Sequence, residues 1–259
     1  MKPKVAFFDF AGCEGCQLQV VNLEESILDL IDIVEVVSFR EAMKEHSDDY
    51  DIAFIEGSIA RPMDEERLRG IRSKAKILVA LGACACMGGV NALRNQFPVN
   101  DLKKMVYGGA DPKHIENNPY FDIFPVKAVD EVVKVDYYIP GCPINRDEFA
   151  RVVTALVLGE KPVLPNYPVC VECKKRGNIC VFEEGKFCLG PVTRAGCDAI
   201  CPTNGDGCEG CRGLLDDPNT QSELEVLQKY GLTLDEALDR FNVFCYKAKA
   251  EVAKAEVNK

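Results

Sequence analysis

Eight cysteines, Cys170, Cys173, Cys180, Cys188, Cys197, Cys201, Cys208 and Cys211, fall between residues 170 and 211. That density exceeds what small hydrophobes contribute to a core, and thiolates are the soft ligands that select iron–sulfur clusters or zinc. Eight thiolates divide into two sets of four. Four is the number one [4Fe–4S] cubane needs, because each tetrahedral iron takes three bridging sulfides and one protein ligand. The spacings are C-x2-C-x6-C-x7-C and then C-x3-C-x6-C-x2-C, unlike the bacterial ferredoxin run. Zinc is the competing metal, with Cys170-x2-Cys173 pairing with Cys208-x2-Cys211 as in a ribbon. The 34 residues between those pairs exceed the usual spacing, and the pairing leaves four cysteines idle.

Further cysteines sit in turns that follow apolar runs. Lys4 to Phe10 leads into Cys13-Glu14-Gly15-Cys16, and Lys76 to Leu81 into Gly82-Ala83-Cys84-Ala85-Cys86-Met87-Gly88-Gly89. Val132 to Ile139 leads into Pro140-Gly141-Cys142-Pro143. The adjacent glycines let backbone pass close to a bulky cluster so that amide N–H groups can point at its sulfurs. For Cys84 and Cys86 the plainer reading is two small hydrophobes in a tight turn.

The elements that must position these turns follow from periodicity. Short apolar runs read as buried strands at Lys4 to Phe10, Asp32 to Phe39, Tyr50 to Ile55, Lys76 to Leu81 and Val132 to Ile139. Between them, Val20, Leu23, Ile27 and Leu30 recur at helical spacing, and Asp64 to Lys74 is a polar-faced helix. Asn145 caps a helix with Glu148 three residues on and Phe149, Val152, Val153 and Leu156 on one face. Phe97 to Phe124 reads as loop. The alternation predicts an α/β fold, a parallel sheet of flavodoxin-like order with helices on both faces. Ligands gather beyond the carboxyl ends of such strands, so Cys13, Cys16, Cys84 and Cys142 can converge on one site. The expected division is a flavodoxin-like domain over 1–162, a small irregular two-cluster domain over 163–215 and a helical extension over 216–259. In that extension Ser222 to Lys229 and Leu234 to Glu251 are helical, the second opened by the capping box Thr233-x-x-Glu236. Cys245 is expected as a packed thiol there.

Composition narrows the function. A net charge of −10 without a basic stripe argues against nucleic-acid or membrane-surface partners. With only two histidines, histidine-based acid–base catalysis is disfavoured. No apolar run reaches 18 residues and the start lacks an export signal's apolar core, so the expected location is cytoplasmic, where clustered cysteines signify metal or redox chemistry.

Six motifs in order resemble the small subunit of [NiFe]-hydrogenases: Cys13-Glu14-Gly15-Cys16, Glu56-Gly57-Ser58-Ile59, Gly82 to Gly89, Ile139-Pro140-Gly141-Cys142-Pro143, Cys188-Leu189-Gly190-Pro191 and Gly207-Cys208-Glu209-Gly210-Cys211. The resemblance spans residue 4 to about residue 213 and implies three [4Fe–4S] clusters. Cys13, Cys16, Cys84 and Cys142 would hold the proximal one, Cys197, Cys201, Cys208 and Cys211 the medial, and Cys170, Cys173, Cys180 and Cys188 the distal. Cys86 is then a spare. Many respiratory relatives have a histidine as first distal ligand and a proline near the fourth medial position, where this chain offers Cys170 and Cys201. The resemblance points to the cytoplasmic group of F420-non-reducing hydrogenases and sulfhydrogenases. It implies a separate large subunit with the nickel site, which this chain lacks, and a further iron–sulfur or flavin subunit as electron acceptor. Glu56 is implicated in proton movement, against the plainer reading of a surface or interface carboxylate. Two other functions compete: a complex I-type quinone-reductase subunit, whose first motif has adjacent cysteines unlike Cys13 and Cys16, and a zinc-stabilised interaction module.

Overall fold

A computed structural model describes residues 2–24, 26–108, 115, 118–231 and 233–244. Five strands, β1 (Lys4–Asp9), β2 (Glu35–Phe39), β3 (Ile52–Glu56), β4 (Ile77–Leu81) and β5 (Tyr137–Ile139), form one parallel sheet in the order β2-β1-β3-β4-β5. This is the flavodoxin-like order, whose switch point lies between β1 and β3.

Strand side chains alternate between two faces, and here both faces are apolar. Val5, Phe7, Ile52, Phe54, Val79 and Leu81 join one core, where Phe7 stacks between Phe39 at 4.3 Å and Phe54 at 4.8 Å. Ala6, Ala53, Ile55, Leu78 and Ala80 join the other. Helices α1 (Gly15–Val21), α2 (Ser26–Ile33), α3 (Pro62–Lys74), α4 (Gly82–Met87) and α5 (Val99–Tyr107) follow in chain order, and α6 (Arg146–Val157) follows β5. Phe149, Val152, Val153 and Leu156 of α6 enter the first core, while Leu68 and Ile71 of α3 enter the second.

Several boundaries differ from the periodicity reading. The helix after Cys16 is broken in two between α1 and α2, with Glu24 in the left-handed region at φ 56°. The second strand begins only at Glu35, because α2 extends to Ile33. The fifth strand is confined to Tyr137–Ile139; before it, Val129–Glu131 is a 3-10 turn closed by the Glu131 carboxylate accepting from Ala128 N. Phe97 to Phe124 is not all loop, since α5 occupies its first part.

Residues 163–215 form little regular structure: α7 (Val169–Lys175), a 3-10 turn at Val181–Glu184 and α8 (Ile200–Thr203). Their core includes Val169, Val181, Phe182 and Ala199 and is completed by Cys188 and Cys208 themselves. Leu227, on α9 (Thr220–Lys229), joins it, and Tyr230 stacks on Phe182 at 5.2 Å. The last described helix is α10 (Leu234–Phe244), opened by the expected box: Glu236 N donates to Thr233 Oγ1 and Thr233 N to Glu236 Oε2. Cys245 and the rest of the expected helix lie outside the described residues. Among the described residues, no helix is long and apolar enough to cross a membrane.

Candidate metal centres

The strand register brings the cysteine turns together. Asp9 pairs with Glu56, Glu56 with Leu81, and Leu81 with Ile139, so β1, β3, β4 and β5 end at one level. The turns that follow therefore share one edge of the sheet. Cys13 lies in the turn after β1, Cys16 on α1, Cys84 on α4 and Cys142 in the loop after β5, where the Cys142-Pro143 peptide is cis. Cys13 and Cys142 are exposed, whereas Cys16 is buried.

These four free thiols lie within electrostatic range of one another. Burial pushes Cys84 up to about 12, with Cys142, Cys13 and Glu56 adding repulsion. Burial also raises Cys16, helped by Glu56, and raises Cys142, helped by Cys13 and Glu56. A set of thiols that oppose one another's ionisation suits a site whose positive charge comes from bound iron, which deprotonates a coordinating thiol. Cys86 points away: it is buried in the second sheet core, with its sulfur 3.5 Å from Ala80 O.

The backbone around these sulfurs has no space for side chains. A Cβ on Gly82 would collide with Cys16 Sγ, and one on Gly89 would meet Cys84 Sγ at 2.7 Å; both glycines have positive φ. Asn91 Nδ2 donates to Ala11 O at 2.6 Å and Ser58 Oγ at 3.0 Å and lies 3.8 Å from Cys84 Sγ, tying three turns together. Glu56, the last residue of β3, is 4% exposed. Its two carboxylate oxygens accept from Cys16 N and Gln17 N, each at 2.9 Å, so it caps α1 from a neighbouring strand. The acidic cap is favoured by the helix dipole and fixes the orientation of Cys16. The surface-carboxylate reading of Glu56 is thereby replaced by a buried one.

The eight later cysteines separate into two groups. Cys197, Cys201, Cys208 and Cys211 line one cavity of about 460 Å³, with Cys142 also on its wall. Cys170, Cys173, Cys180 and Cys188 line a second. The two CxxC pairs of a zinc ribbon thus fall in different cavities. Among the described residues, no three metal-binding side chains approach closely enough to share a single ion. A cubane instead holds its four thiolates apart at its corners. Burial raises Cys197, Cys201 and Cys208, and pushes Cys211 up to about 12. N–H groups oppose it, from Ala199 and Ile200 to Cys197 and from Gly210 to Cys208, as thiolates of a cluster require. Gly190 belongs to the second group: a Cβ there would stand 3.2 Å from Cys188 Sγ and 3.4 Å from Cys170 Sγ. By donor chemistry and backbone clearance, each group of four fits an iron–sulfur cluster.

The three groups adjoin end to end. Cys142 lies on the wall of the cavity lined by Cys211, whose ionisation the Cys142 backbone eases, and Cys208 N donates to Cys188 Sγ at 3.2 Å.

The family model described as "NADH ubiquinone oxidoreductase, 20 Kd subunit" matches residues 13–156. Sulfhydrogenase 2 subunit delta of Pyrococcus furiosus is 36% identical over 228 residues, covering 87% of this chain and 92% of the relative. The chain belongs to the hydrogenase small-subunit family. Another family member, a subunit of the vhu F420-non-reducing hydrogenase of Methanocaldococcus jannaschii, is 35% identical, with 82% of each chain covered. A chain of a solved NAD+-reducing [NiFe]-hydrogenase matches the present chain with a TM-score of 0.58 and 34% identity, covering 64% of this chain and 96% of that one. A [NiFeSe] hydrogenase from Desulfovibrio vulgaris Hildenborough, at 18% identity and a TM-score of 0.54, shares the fold over 86% of this chain. Family membership and the cysteine content make this an iron–sulfur, electron-transferring subunit of an oxidoreductase.

Sequence reasoning missed Asn91, Glu148, Glu172 and Arg212 as parts of the sites. Glu148 is visible in the sequence only as a residue of a helix cap. Glu172, between Cys170 and Cys173, accepts from Gly196 N at 2.9 Å and Ala199 N at 3.2 Å, holding the loop of Cys197.

Proposed function

We propose that this chain conducts electrons within a cytoplasmic [NiFe]-hydrogenase. A separate large subunit splits H2 into two protons and two electrons, and a further iron–sulfur or flavin subunit accepts the electrons. Cys13, Cys16, Cys84 and Cys142 hold the proximal [4Fe–4S] cluster and Cys197, Cys201, Cys208 and Cys211 the medial one. Cys170, Cys173, Cys180 and Cys188 hold the distal one. The clusters, when bound, supply one-electron redox chemistry. The protein's own residues orient the thiolates, direct N–H groups at them and keep water from the buried ones. Residues 1–162, 163–215 and 216–259 serve as the proximal-cluster domain, the two-cluster domain and a helical extension, of which α9 reaches the two-cluster core through Leu227. Exposure of Cys13 and Cys142 supports placing the large subunit against that edge of the sheet. Glu56 positions Cys16, and movement of protons through its carboxylate is a second role to be tested.

The observation that carries this reading is the contiguity of the three cysteine groups: Cys142 lies on the wall of the cavity lined by Cys197, Cys201, Cys208 and Cys211, and Cys208 N donates to Cys188 Sγ. The experiment is serine substitution in the purified complex. Cys84→Ser is expected to remove about four of about twelve irons, whereas Cys86→Ser leaves the iron content whole. Equal loss from both would refute the proximal ligand set. The description of the matching family model favours a second reading, a quinone-reductase subunit of the complex I type. The separation of Cys13 from Cys16 and a hydrogenase relative matched over 87% of the chain weigh against it.

A further inference from the structure

Arg212 follows Cys211 and is 2% exposed. Its Nε donates to Ala195 O at 2.8 Å and its Nη1 to Pro140 O at 2.7 Å. Its Nη2 donates to both oxygens of Glu148, at 2.7 Å and 2.9 Å. Pro140 begins the loop that carries Cys142, Ala195 begins the loop that carries Cys197, and Glu148 lies on α6. One guanidinium therefore ties a loop of the first cysteine group to a loop of the next. The packing is tight: Gly196 has φ 115°, and a Cβ there would collide with Arg212 Nη2 and lie 2.5 Å from Glu148 Oε1.

A buried ion pair is a poor device for stability, because desolvating both charges offsets most of their attraction. It does one thing that a hydrophobic pair cannot, which is to fix a charge in a low-dielectric interior. Here the carboxylate lies on the α6 side of the guanidinium, and the Cys197 and Cys142 loops lie on its other donors. Arg212 lines the cavity of Cys197, Cys201, Cys208 and Cys211, and its charge favours the Cys197 thiolate. A reduced cluster carries one more negative charge than an oxidised one, so a facing cation favours reduction.

We propose that Arg212, held in place by Glu148, is a positioning residue that raises the reduction potential of the cluster bound by Cys197, Cys201, Cys208 and Cys211 and locks its loop to that of Cys142. This rests on the iron–sulfur reading above. Glu172, which accepts from Gly196 N and Ala199 N in the Cys197 loop, contributes the opposing charge.

The test is a redox titration of the purified, cluster-loaded hydrogenase complex followed by electron paramagnetic resonance, comparing wild type with Arg212→Gln, Arg212→Lys and Glu148→Gln. Arg212→Gln is expected to lower the equilibrium constant for reducing this cluster about tenfold, 59 mV for a one-electron couple. Glu148→Gln is expected to shift it the opposite way, and Arg212→Lys, which keeps the charge, to stay nearer wild type than Arg212→Gln. Opposite shifts in the two neutralising variants support the proposal, since a purely structural tie would move neither potential in a charge-ordered way. An unchanged potential in a cluster-loaded Arg212→Gln, or equal shifts in Gln and Lys, overturns it. Should Arg212→Gln lose its clusters, Glu148→Gln decides: an upward shift supports the proposal and none overturns it. Absence of any reducible cluster in wild type would instead overturn the underlying reading.

Discussion

A side chain at residue 82 has nowhere to go, because its Cβ would collide with Cys16 Sγ and the backbone there has a positive φ of 84°. Gly82→Ala is therefore expected to cost about four irons of about twelve while leaving the later cysteine groups loaded, measured as iron and acid-labile sulfide per chain. Full iron content would show that the Cys16 sulfur can move aside. Glu56 makes a second prediction. Glutamine at 56 keeps one acceptor oxygen for two N–H donors, so one of Cys16 N and Gln17 N is left unsatisfied, at about 1–3 kcal/mol. The unfolding midpoint of Glu56→Gln should fall, and if hydrogen turnover is untouched its role is positioning alone. The cysteines were legible in the sequence because residue type and spacing define them. Arg212, Glu148 and Asn91 were not, since their partners lie 64 positions away for the ion pair and 80 for Asn91 with Ala11. No local pattern marks such contacts.

The elements were legible in proportion to how fully they are buried. β3 and β4 lie in the centre of the sheet, read as continuous apolar runs, and were located to within a residue or two. β5 is an edge strand, and of the run expected for it only Tyr137–Ile139 pairs with β4. α5 escaped notice because none of its residues is buried, so no apolar face packed on the core announced it. The single-helix reading after Cys16 failed at Glu24, whose left-handed backbone separates α1 from α2. α6 was found through its cap, and the structure retains it: Asn145 Oδ1 accepts from Glu148 N at 2.9 Å. Asn145→Ala should cost about 1 kcal/mol of stability, read from thermal unfolding of the loaded complex. Its iron content should not change, which would distinguish a loss of helix stability from damage at Cys142 nearby.

Across the whole molecule the two halves are held by different physics. The sheet has two apolar cores of its own, whereas the cysteine-rich half completes its core with Cys188 and Cys208. Metal binding then contributes directly to folding of the second half. Anaerobic removal of iron with a chelator is expected to abolish amide-exchange protection over 169–211 while strands β1, β3 and β4 stay protected; uniform loss or uniform retention would contradict this. The Arg212–Glu148 pair crosses between the halves, and Glu148→Leu, which strands a buried guanidinium, should destabilise the chain by about 3–5 kcal/mol. The central claim, a chain that carries three iron–sulfur clusters beside a nickel enzyme, is tested most directly by composition. The complex would be purified anaerobically and its iron, acid-labile sulfide, nickel and zinc measured together. About twelve irons with matching sulfide per copy of this chain, with nickel in the co-purifying large subunit, is the predicted result; zinc without sulfide would contradict it.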